Sequence, residues 1–246
     1  MHQFFLNQPL TDLESPIILT RKEYQHVFVL RLHLGEIFVL SDGAGQEHVC
    51  EITDVDKNSL TAKRIETRAA SGELPCQLVL LQGLPKRDKL EFIIQKAVEL
   101  GAHQIMPVMM KRSNVKVDEK KADRKAERLH EISKSAATQS KRGIIPEVTP
   151  ITSFHDALAS VADADIKLIA FEEETHTGSL QTLLPALPSA KKIAILVGPE
   201  GGISEEEWQQ AKAADFQSVS LGRRILRTET AGLCLLSYLM LHLENA

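Results

Sequence analysis

A glycine-rich loop follows one of the apolar segments of the sequence. Gly198-Pro199-Glu200-Gly201-Gly202 comes directly after Ile193–Val197, a five-residue run that is typical of a buried strand. Glycine lacks a Cβ atom, so the backbone of such a loop can approach a flat ligand and offer its own N–H and C=O groups. Neither GxGxxG nor GxxxxGKS/T is present, and Glu200 occupies the loop, so a phosphate site is not favoured. The loop suits an adenosyl group without phosphates; the alternative is a tight strand-to-helix turn.

A second loop concentrates arginine. Arg223, Arg224 and Arg227 precede Glu229 and Thr230, immediately before a strongly apolar segment. Charged groups beside apolar residues are costly unless they are paired or functional. The planar guanidinium fork can hold a phosphate or the carbonyl oxygens of a base. The cluster therefore indicates either a functional site or a structural Arg–Glu network at a helix start.

The elements around these loops predict an α/β domain with a largely parallel sheet. From residue 75 onward, short apolar runs alternate with longer helical stretches. Predicted strands cover 78–82, 104–109, 166–171, 193–197 and 219–221, and predicted helices follow a cap at Asp88 and cover 119–141 and 231–243. Ligands bind outside the carboxyl ends of parallel strands, so the exits after Phe171, Val197 and Leu221 are the candidate site.

The segment after the glycine loop predicts a helix start. Ser204 and Glu207 have the spacing of a capping box. Trp208 follows directly and is expected to anchor that helix in the core.

The first 70 residues predict a small β-barrel. Short strand patterns lie at 17–19, 37–40, 48–52 and 60–65, with turn residues between them and one helical stretch at 22–32. Residues 68–75 contain Ser71-Gly72 and Pro75 and read as a linker. The predicted domains are therefore 1–70 and 75–246.

Composition excludes several classes of protein. With 246 residues, 43% hydrophobic and 25% charged, the chain is neither disordered nor fibrous. Only 4% of residues are aromatic, which argues against a surface built from stacking rings. The net charge is −4, yet residues 111–142 carry eleven lysine and arginine residues against five acids. This basic stretch is either a solvated helical face or a phosphate-binding patch.

Cysteine and histidine usage points to a reducing compartment without a metal centre. The three cysteines are too scattered for a disulfide framework, and no HxH or HExxH pair is present. The start of the chain lacks a secretory signal, and no run approaches the ~20 apolar residues that span a bilayer. We expect a cytoplasmic protein.

Five segments together resemble a known family. The segments are LPKRDKLEFIIQKAVELG, KRSNVK, ATQSKRGIIPEV, ILVGPEGGISEEEW and LGRRILRTETA, and they span the α/β half of the chain. Their order and spacing resemble the bacterial 16S ribosomal RNA uridine-N3 methyltransferase family of the SPOUT class, over the whole chain. The resemblance implies a PUA-like β-barrel, a SPOUT-type trefoil-knotted α/β domain that forms a homodimer, and S-adenosyl-L-methionine as cofactor.

The resemblance also implies which residues act. Cofactor contacts are expected from the strand exits and the two loops, at Phe171, Glu172, Leu196, Val197, Gly198, Pro199, Glu200, Gly201, Gly202, Leu221, Gly222, Ile225, Leu226, Arg227, Thr228, Thr230 and Ala231. Arg227, with Arg224, is expected to stabilise negative charge on the uracil, and Glu229 or Glu200 to orient the arginine or take the N3 proton. With the resemblance, the basic stretch favours contact with 16S ribosomal RNA in the assembled small subunit. Expected RNA contacts are Arg21, Lys22, Arg31, Lys86, Arg87, Arg112, Lys116, Lys141 and Arg142.

Three other functions are consistent with parts of this pattern. A methyltransferase of the same class acting on transfer RNA or on a ribose 2′-hydroxyl would share the cofactor loops. A noncatalytic RNA-binding assembly factor would keep the fold without the reaction. A nucleotide-phosphate enzyme would bind ATP or NAD, which the loop composition disfavours.

Overall fold

A computed structural model describes residues 1–6, 15–21, 24–86, 89–115, 122–171 and 180–245. The chain forms two compact units. The first comprises Met1–Glu73 together with Ala137–Ile145, and the second comprises Leu74–Ala136 and Pro146–Ala246. The predicted domain 75–246 therefore differs from the structure, in which residues 137–145 belong with the N-terminal unit.

The first unit is a curled five-stranded sheet. Its strands in chain order are β1 (His2–Phe5), β2 (Ile17–Thr20), β3 (Ile37–Ser41), β4 (Gln46–Val55) and β5 (Ser59–Ala69). The spatial order is β1-β3-β4-β5-β2, with β1 parallel to β3 and the other pairs antiparallel. Register shifts in the β4–β5 pair, at Val49/Cys50 and Ile52/Asp54, bend the ribbon. The four predicted strands are confirmed, whereas β1 was missed.

Two details of the first unit differ from the sequence prediction. The predicted linker at 68–75 begins too early, because β5 continues to Ala69 and Arg68 Nε donates to Glu47 Oε2 at 3.1 Å. The predicted helix at 22–32 is a short helix, α1 (Gln25–Val29). Residues 22 and 23 lie outside the described part of the chain.

Arg142 belongs to the interior of the first unit. Its side chain is 3% exposed and pairs with Glu73, with Nε to Oε1 at 3.2 Å and Nη2 to Oε2 at 2.5 Å. Glu73 Oε1 also accepts the backbone N–H groups of Gly143 and Ile144. The predicted RNA contact at Arg142 is therefore wrong: the guanidinium is buried in an ion pair that fixes the returning segment.

The second unit is built on a parallel sheet. Its strands are β6 (Gln77–Gly83), β7 (Ala102–Met109), β8 (Glu147–Val148), β9 (Thr152–Ser153), β10 (Ile166–Ala170), β11 (Lys192–Val197) and β12 (Gln217–Val219). They run in the order β12-β10-β11-β6-β7-β8, with β9 also pairing with β7, and every described pair is parallel. The α/β class and four of the five predicted strands are confirmed, whereas the last strand is Gln217–Val219 instead of 219–221, and the short strands β8 and β9 were missed.

Helices connect or follow these strands. They are α2 (Lys89–Glu99), α3 (Ala122–Gln139), α4 (Phe154–Ser160), α5 (Glu205–Ala213) and α6 (Thr228–Glu244), with short 3-10 turns at Leu180–Leu183 and Leu187–Ser189. The predicted apolar face of α2 is confirmed by burial of Leu90, Ile93, Ile94, Ala97 and Val98. Asp88, the predicted cap, lies outside the described residues.

Both faces of the parallel sheet are buried. Successive side chains of a strand point to opposite faces. Residues such as Leu81 and Leu196 pack with α4 and α5 in one core cluster, which includes Trp208. Helices α2 and α6 pack against each other, and α6 also packs on β6 and β11. No helix among the described residues is long and apolar enough to cross a membrane.

Candidate functional site

Three strand exits lie side by side at one edge of the parallel sheet. β10 lies between β11 and β12, and its last residue, Ala170, is in register with both Val197 and Val219. The chain therefore leaves the sheet at three neighbouring points, after Ala170, Val197 and Val219. This confirms the expectation that the loops following these strands meet at one edge.

A cleft of about 780 Å³ lies at this edge. Its volume falls within the ~300–1,000 Å³ range of small-molecule and cofactor sites. Most of the expected cofactor residues line it, namely Phe171, Val197, Gly198, Pro199, Glu200, Gly202, Leu221, Gly222, Ile225, Leu226, Arg227, Thr228 and Ala231, and Arg224 lines it as well. The fold thus brings together two loops that are separated by about twenty residues of sequence.

Four of the expected cofactor residues are not among the described residues that line the cleft. Leu196 is fully buried in the sheet core, and Thr230 is exposed on α6 without lining the cleft. Gly201 does not line it either, and glycine is required there for a different reason, the close approach of Arg112. A Cβ there would stand 2.8 Å from Arg112 Cβ and 2.9 Å from the Arg112 carbonyl oxygen. Glu172 lies outside the described residues.

The start of α5 holds the glycine loop in place. Ser204 caps this helix, and its backbone N–H donates to Glu207 Oε2 at 2.9 Å, which completes the predicted capping box. Trp208 is buried and stacks on Phe171, with ring centroids 5.1 Å apart, as its predicted anchoring role requires. The stack connects α5 to a residue of the cleft wall.

A buried hydrogen-bond chain connects the two loops that form the cleft. The Thr228 hydroxyl donates to the Gly198 carbonyl oxygen at 2.6 Å. Gln82 Nε2, in β6, donates to Thr228 Oγ1 at 2.8 Å and to the Gly83 carbonyl oxygen at 3.0 Å. All three side-chain contacts are buried, where hydrogen bonds are costly to leave unmade. The chain fixes the first turn of α6 against the glycine loop.

Lys89 connects the two acidic residues of the site. Its Nζ lies 3.1 Å from Glu200 Oε1 and 3.1 Å from Glu229 Oε2. The backbone N–H of Lys86 donates to both oxygens of Glu200, at 3.1 and 3.2 Å. The sequence left open a structural Arg–Glu network at the start of this helix as one alternative. In the structure the partner of Glu229 is Lys89.

These contacts favour the charged forms of Lys89 and Glu200. Hydrogen bonding to Glu229 and then to Glu200 raises the pKa of Lys89. Burial alone would raise the pKa of Glu200, but its own backbone N–H, the Lys86 N–H and the Lys89 ammonium outweigh burial and lower that pKa. A carboxylate with a lowered pKa is a weak proton acceptor at neutral pH.

The arginines of the second loop are exposed at the cleft. Arg223, Arg224 and Arg227 all line it and all have solvent-accessible side chains. Arg227 is also the residue that precedes the first turn of α6 and accepts the Ala231 N–H through its carbonyl at 2.8 Å. Its backbone is therefore held by the helix while its guanidinium is available to a substrate.

The expected RNA contacts divide into three groups. Arg21, Arg31, Lys86, Arg112 and Lys141 are exposed, as such contacts require. Arg142 is buried, as described above. Lys22, Arg87 and Lys116 lie outside the described residues. Arg112 also donates from Nη1 to the Gly201 carbonyl oxygen at 3.3 Å, so it touches the outer side of the glycine loop.

The donor groups of the cleft fit an adenosyl cofactor. Its wall combines apolar side chains, such as Val197, Leu221 and Leu226, with the backbone of Gly198 and Gly222. Such a wall suits a flat purine read by backbone groups. The acidic Glu200 is compatible with a cation and unfavourable for a phosphate chain. Within the described residues, no cluster of His, Cys, Asp and Glu could hold a metal ion.

Sequence reasoning missed several residues of the cleft. They are Lys89, Ala170, Ile203, Val219 and Ser220. Val219 and Ser220 were missed because the prediction placed them inside a strand that ends at Leu221, whereas the strand ends at Val219. No sequence pattern indicated that Lys89 lines the cleft, because it begins a helix more than a hundred residues before the loops that it contacts.

The chain belongs to an RNA methyltransferase family. Residues 72–240 match the family described as RNA methyltransferase domain, and residues 19–63 match the RNA methyltransferase PUA domain. The chain is 37% identical over 243 residues to Ribosomal RNA small subunit methyltransferase E of Bacillus subtilis, covering 96% of this chain and 95% of that one. It is 32% identical to the protein of the same name from Mesomycoplasma hyopneumoniae, covering 96% and 98%.

Solved structures agree with this assignment. A Ribosomal RNA small subunit methyltransferase E from Neisseria gonorrhoeae, bound to S-adenosyl methionine, superposes with a TM-score of 0.84 at 33% identity, covering 97% of this chain and 96% of that one. A Legionella pneumophila structure with the same cofactor bound has a TM-score of 0.82 at 29% identity, covering 96% of each chain. The fold is a SPOUT-type α/β domain preceded by a PUA-like domain.

Proposed function

We propose that the protein transfers a methyl group from S-adenosylmethionine to N3 of a uridine in 16S ribosomal RNA. The observation that carries this proposal is the cleft itself. One wall of the cleft offers backbone groups and an acidic residue that disfavours phosphate, and exposed arginines lie beside it. The fold is shared with a relative whose structure contains S-adenosyl methionine. A purely structural protein would have no need of that combination.

The cofactor is held by the two loops at the sheet edge. Gly198, Pro199 and Leu226 would hold the adenosyl group, and Phe171, which stacks on Trp208, would form the part of the wall that follows β10. When bound, S-adenosylmethionine supplies an electrophilic methyl group. The apolar side chains of the wall would shield the cofactor from water, so that the bound base is the nucleophile, while the exposed arginines leave the base side of the cleft open to solvent.

Arg227 makes the uridine nucleophilic. N3 of uracil carries a proton between two carbonyl groups and reacts only as that proton leaves. The Arg227 guanidinium stabilises the negative charge that develops on the carbonyl oxygens, with Arg224 as a second donor. Glu200 and Glu229 are both occupied by Lys89, which favours an orienting role for them over proton transfer. The proton then passes to solvent.

RNA docking uses exposed cations on each unit. Arg21, Arg31 and Lys141 are candidates on the first unit, and Lys86 and Arg112 on the second. Such contacts hold the phosphate backbone and make affinity dependent on salt. The substrate in this proposal is the assembled small subunit, the protein acts in the cytoplasm as a homodimer, and its α/β domain carries the trefoil knot of the SPOUT class.

Comparing RNA substrates tests the proposal. Purified protein and methyl-labelled S-adenosylmethionine are incubated separately with unmodified small ribosomal subunits, naked 16S RNA and bulk transfer RNA. Label restricted to small-subunit RNA supports the proposal. Label in transfer RNA favours the same-class alternative. Cofactor binding without transfer to any of the three would leave a noncatalytic assembly factor.

A further inference from the structure

Lys89 occupies a central position that the proposed reaction does not use. It is the first residue of α2 and lines the cleft, with a side chain 32% exposed. Its ammonium is within 3.1 Å of Glu200 on the glycine loop and of Glu229 in the first turn of α6. One cation therefore joins three segments that come from distant parts of the sequence.

The contact is a bridge rather than an isolated surface pair. Glu229 is only 16% exposed and Glu200 27%, so neither carboxylate is freely solvated. Two anions brought to one cation repel each other if the cation is removed. The backbone N–H of Lys86 also donates to both oxygens of Glu200, so this carboxylate is held by two partners from the start of α2 and the residues before it.

The bridge acts on the walls of the cofactor cleft. Glu200 belongs to the loop from Gly198 to Gly202, and Glu229 follows Thr228, whose hydroxyl holds the Gly198 carbonyl oxygen. Both ends of the bridge are thus adjacent to groups that line the cleft. Losing the bridge would allow the glycine loop and the start of α6 to separate on the side of the cleft nearest α2.

We propose that Lys89 is a positioning residue of the methyl-transfer site, which pre-organises the cofactor cleft by holding Glu200 and Glu229 together. This inference rests on the proposed function. It assigns to the two glutamates a shared structural partner, whereas the sequence left open whether they orient the arginine or take the N3 proton. Pre-organisation of this kind appears in ligand affinity, because a loose cleft must be ordered on binding.

The test measures S-adenosylmethionine binding by calorimetry in the full-length protein. K89M keeps most of the side-chain volume and removes the charge, and we expect it to weaken binding by about tenfold or more. K89R restores a cation and should recover to within about threefold of wild type. K96M is the matched control, because Lys96 lies on the same helix and pairs with Glu99 at 2.8 Å outside the cleft.

A double-mutant cycle separates positioning from general loss of stability. If Lys89 acts through Glu200, adding K89M to E200Q should weaken binding by less than about twofold further. A folded K89M protein with wild-type affinity, or K89R as weak as K89M, would overturn the inference. If K89M does not fold, E229Q decides, because Glu229 does not line the cleft and touches the cofactor only through the bridge, so an unchanged dissociation constant would remove the bridge from cofactor binding. Absence of binding by the wild-type protein would instead contradict the proposed function.

Discussion

The Thr228 hydroxyl donates a 2.6 Å hydrogen bond to the carbonyl oxygen of Gly198. Thr228 begins α6 and Gly198 begins the glycine loop, so this single contact joins the two sequence segments that define the cleft. Gln82 supports it from β6 at 2.8 Å. The precision of the cleft therefore depends on buried polar groups behind its wall as much as on the residues that face a ligand.

Replacing Thr228 by valine should damage both stability and cofactor binding. The substitution keeps the shape of the side chain but leaves Gly198 O and Gln82 Nε2 without their partner in a buried position. We expect a loss of about 1–3 kcal/mol in the free energy of unfolding, with weaker cofactor binding. Urea unfolding and calorimetry measure the two effects.

Ser237→Ala is the control for this substitution. Ser237 lies on the same helix and donates to the Leu233 carbonyl oxygen at 2.8 Å, away from the cleft. It should leave cofactor affinity unchanged. Equal affinities for Thr228→Val and Ser237→Ala would show that the Thr228 bond does not shape the cleft.

Arg227→Ala should remove catalysis while leaving the fold intact. The Arg227 side chain is exposed, so its loss costs little stability, whereas a charge-stabilising donor in a reaction site contributes about 10²–10³-fold to the rate. We expect kcat to fall at least about 100-fold, with cofactor affinity within a few-fold of wild type. Single-turnover methylation of small subunits measures the rate. A rate near that of wild type would exclude Arg227 from the chemistry.

Substitution of Lys141 by glycine should raise the stability of the protein and weaken its binding to RNA. It has a left-handed backbone, with φ of 59°, at the end of α3, where Lys141 N donates to Thr138 O and Arg142 N to Ala137 O. Glycine is the usual residue at that position of a helix end. Lys141→Gly should stabilise the protein by about 0.5–1 kcal/mol, because the strain disappears.

The same substitution should weaken RNA binding. If Lys141 contacts a phosphate, its removal lowers affinity and reduces the slope of log affinity against log salt by about 1. Filter binding at several salt concentrations measures the slope. Lys63→Gly, at an exposed position of β5, is the control for a lost lysine charge on the same unit. An unchanged slope for Lys141→Gly would make Lys141 a solvated residue.

The two Arg–Glu pairs of the first unit should differ greatly in importance. Arg142 is buried against Glu73, whereas Arg68, paired with Glu47 at 3.1 Å, has a side chain 43% exposed. Glu73→Gln leaves the buried Arg142 guanidinium without its anion and should cost about 3–5 kcal/mol. Glu47→Gln leaves the guanidinium of Arg68, which water can solvate, and should cost less than about 1 kcal/mol. Similar losses for the two variants in urea unfolding would contradict this ranking.

Local sequence patterns predicted the parts of the fold that depend on local physics. The apolar spacing of α2, the capping box of Ser204 and Glu207, and the strand ending at Val197 all follow from periodicity and backbone hydrogen bonding. The meeting of the three strand exits at one edge, where the cleft lies, also followed from the parallel order of the strands.

The remaining features depend on contacts between distant residues. Nothing near Lys89 in the sequence indicates that its ammonium lies between Glu200 and Glu229, and nothing near Arg142 indicates that Glu73 buries it. A basic residue in a charged stretch has the same local signature whether it binds RNA or forms an internal ion pair. Only the fold distinguishes Lys141, which is exposed, from its neighbour Arg142.

The most direct test of the account identifies the methylated nucleoside. Unmodified small subunits are methylated by the wild-type protein with labelled S-adenosylmethionine, and the RNA is digested to nucleosides and analysed by mass spectrometry. The proposed function predicts label in 3-methyluridine and its loss with Arg227→Ala. Label in a 2′-O-methylated nucleoside or in another base, or no label from a protein that binds the cofactor, would contradict it.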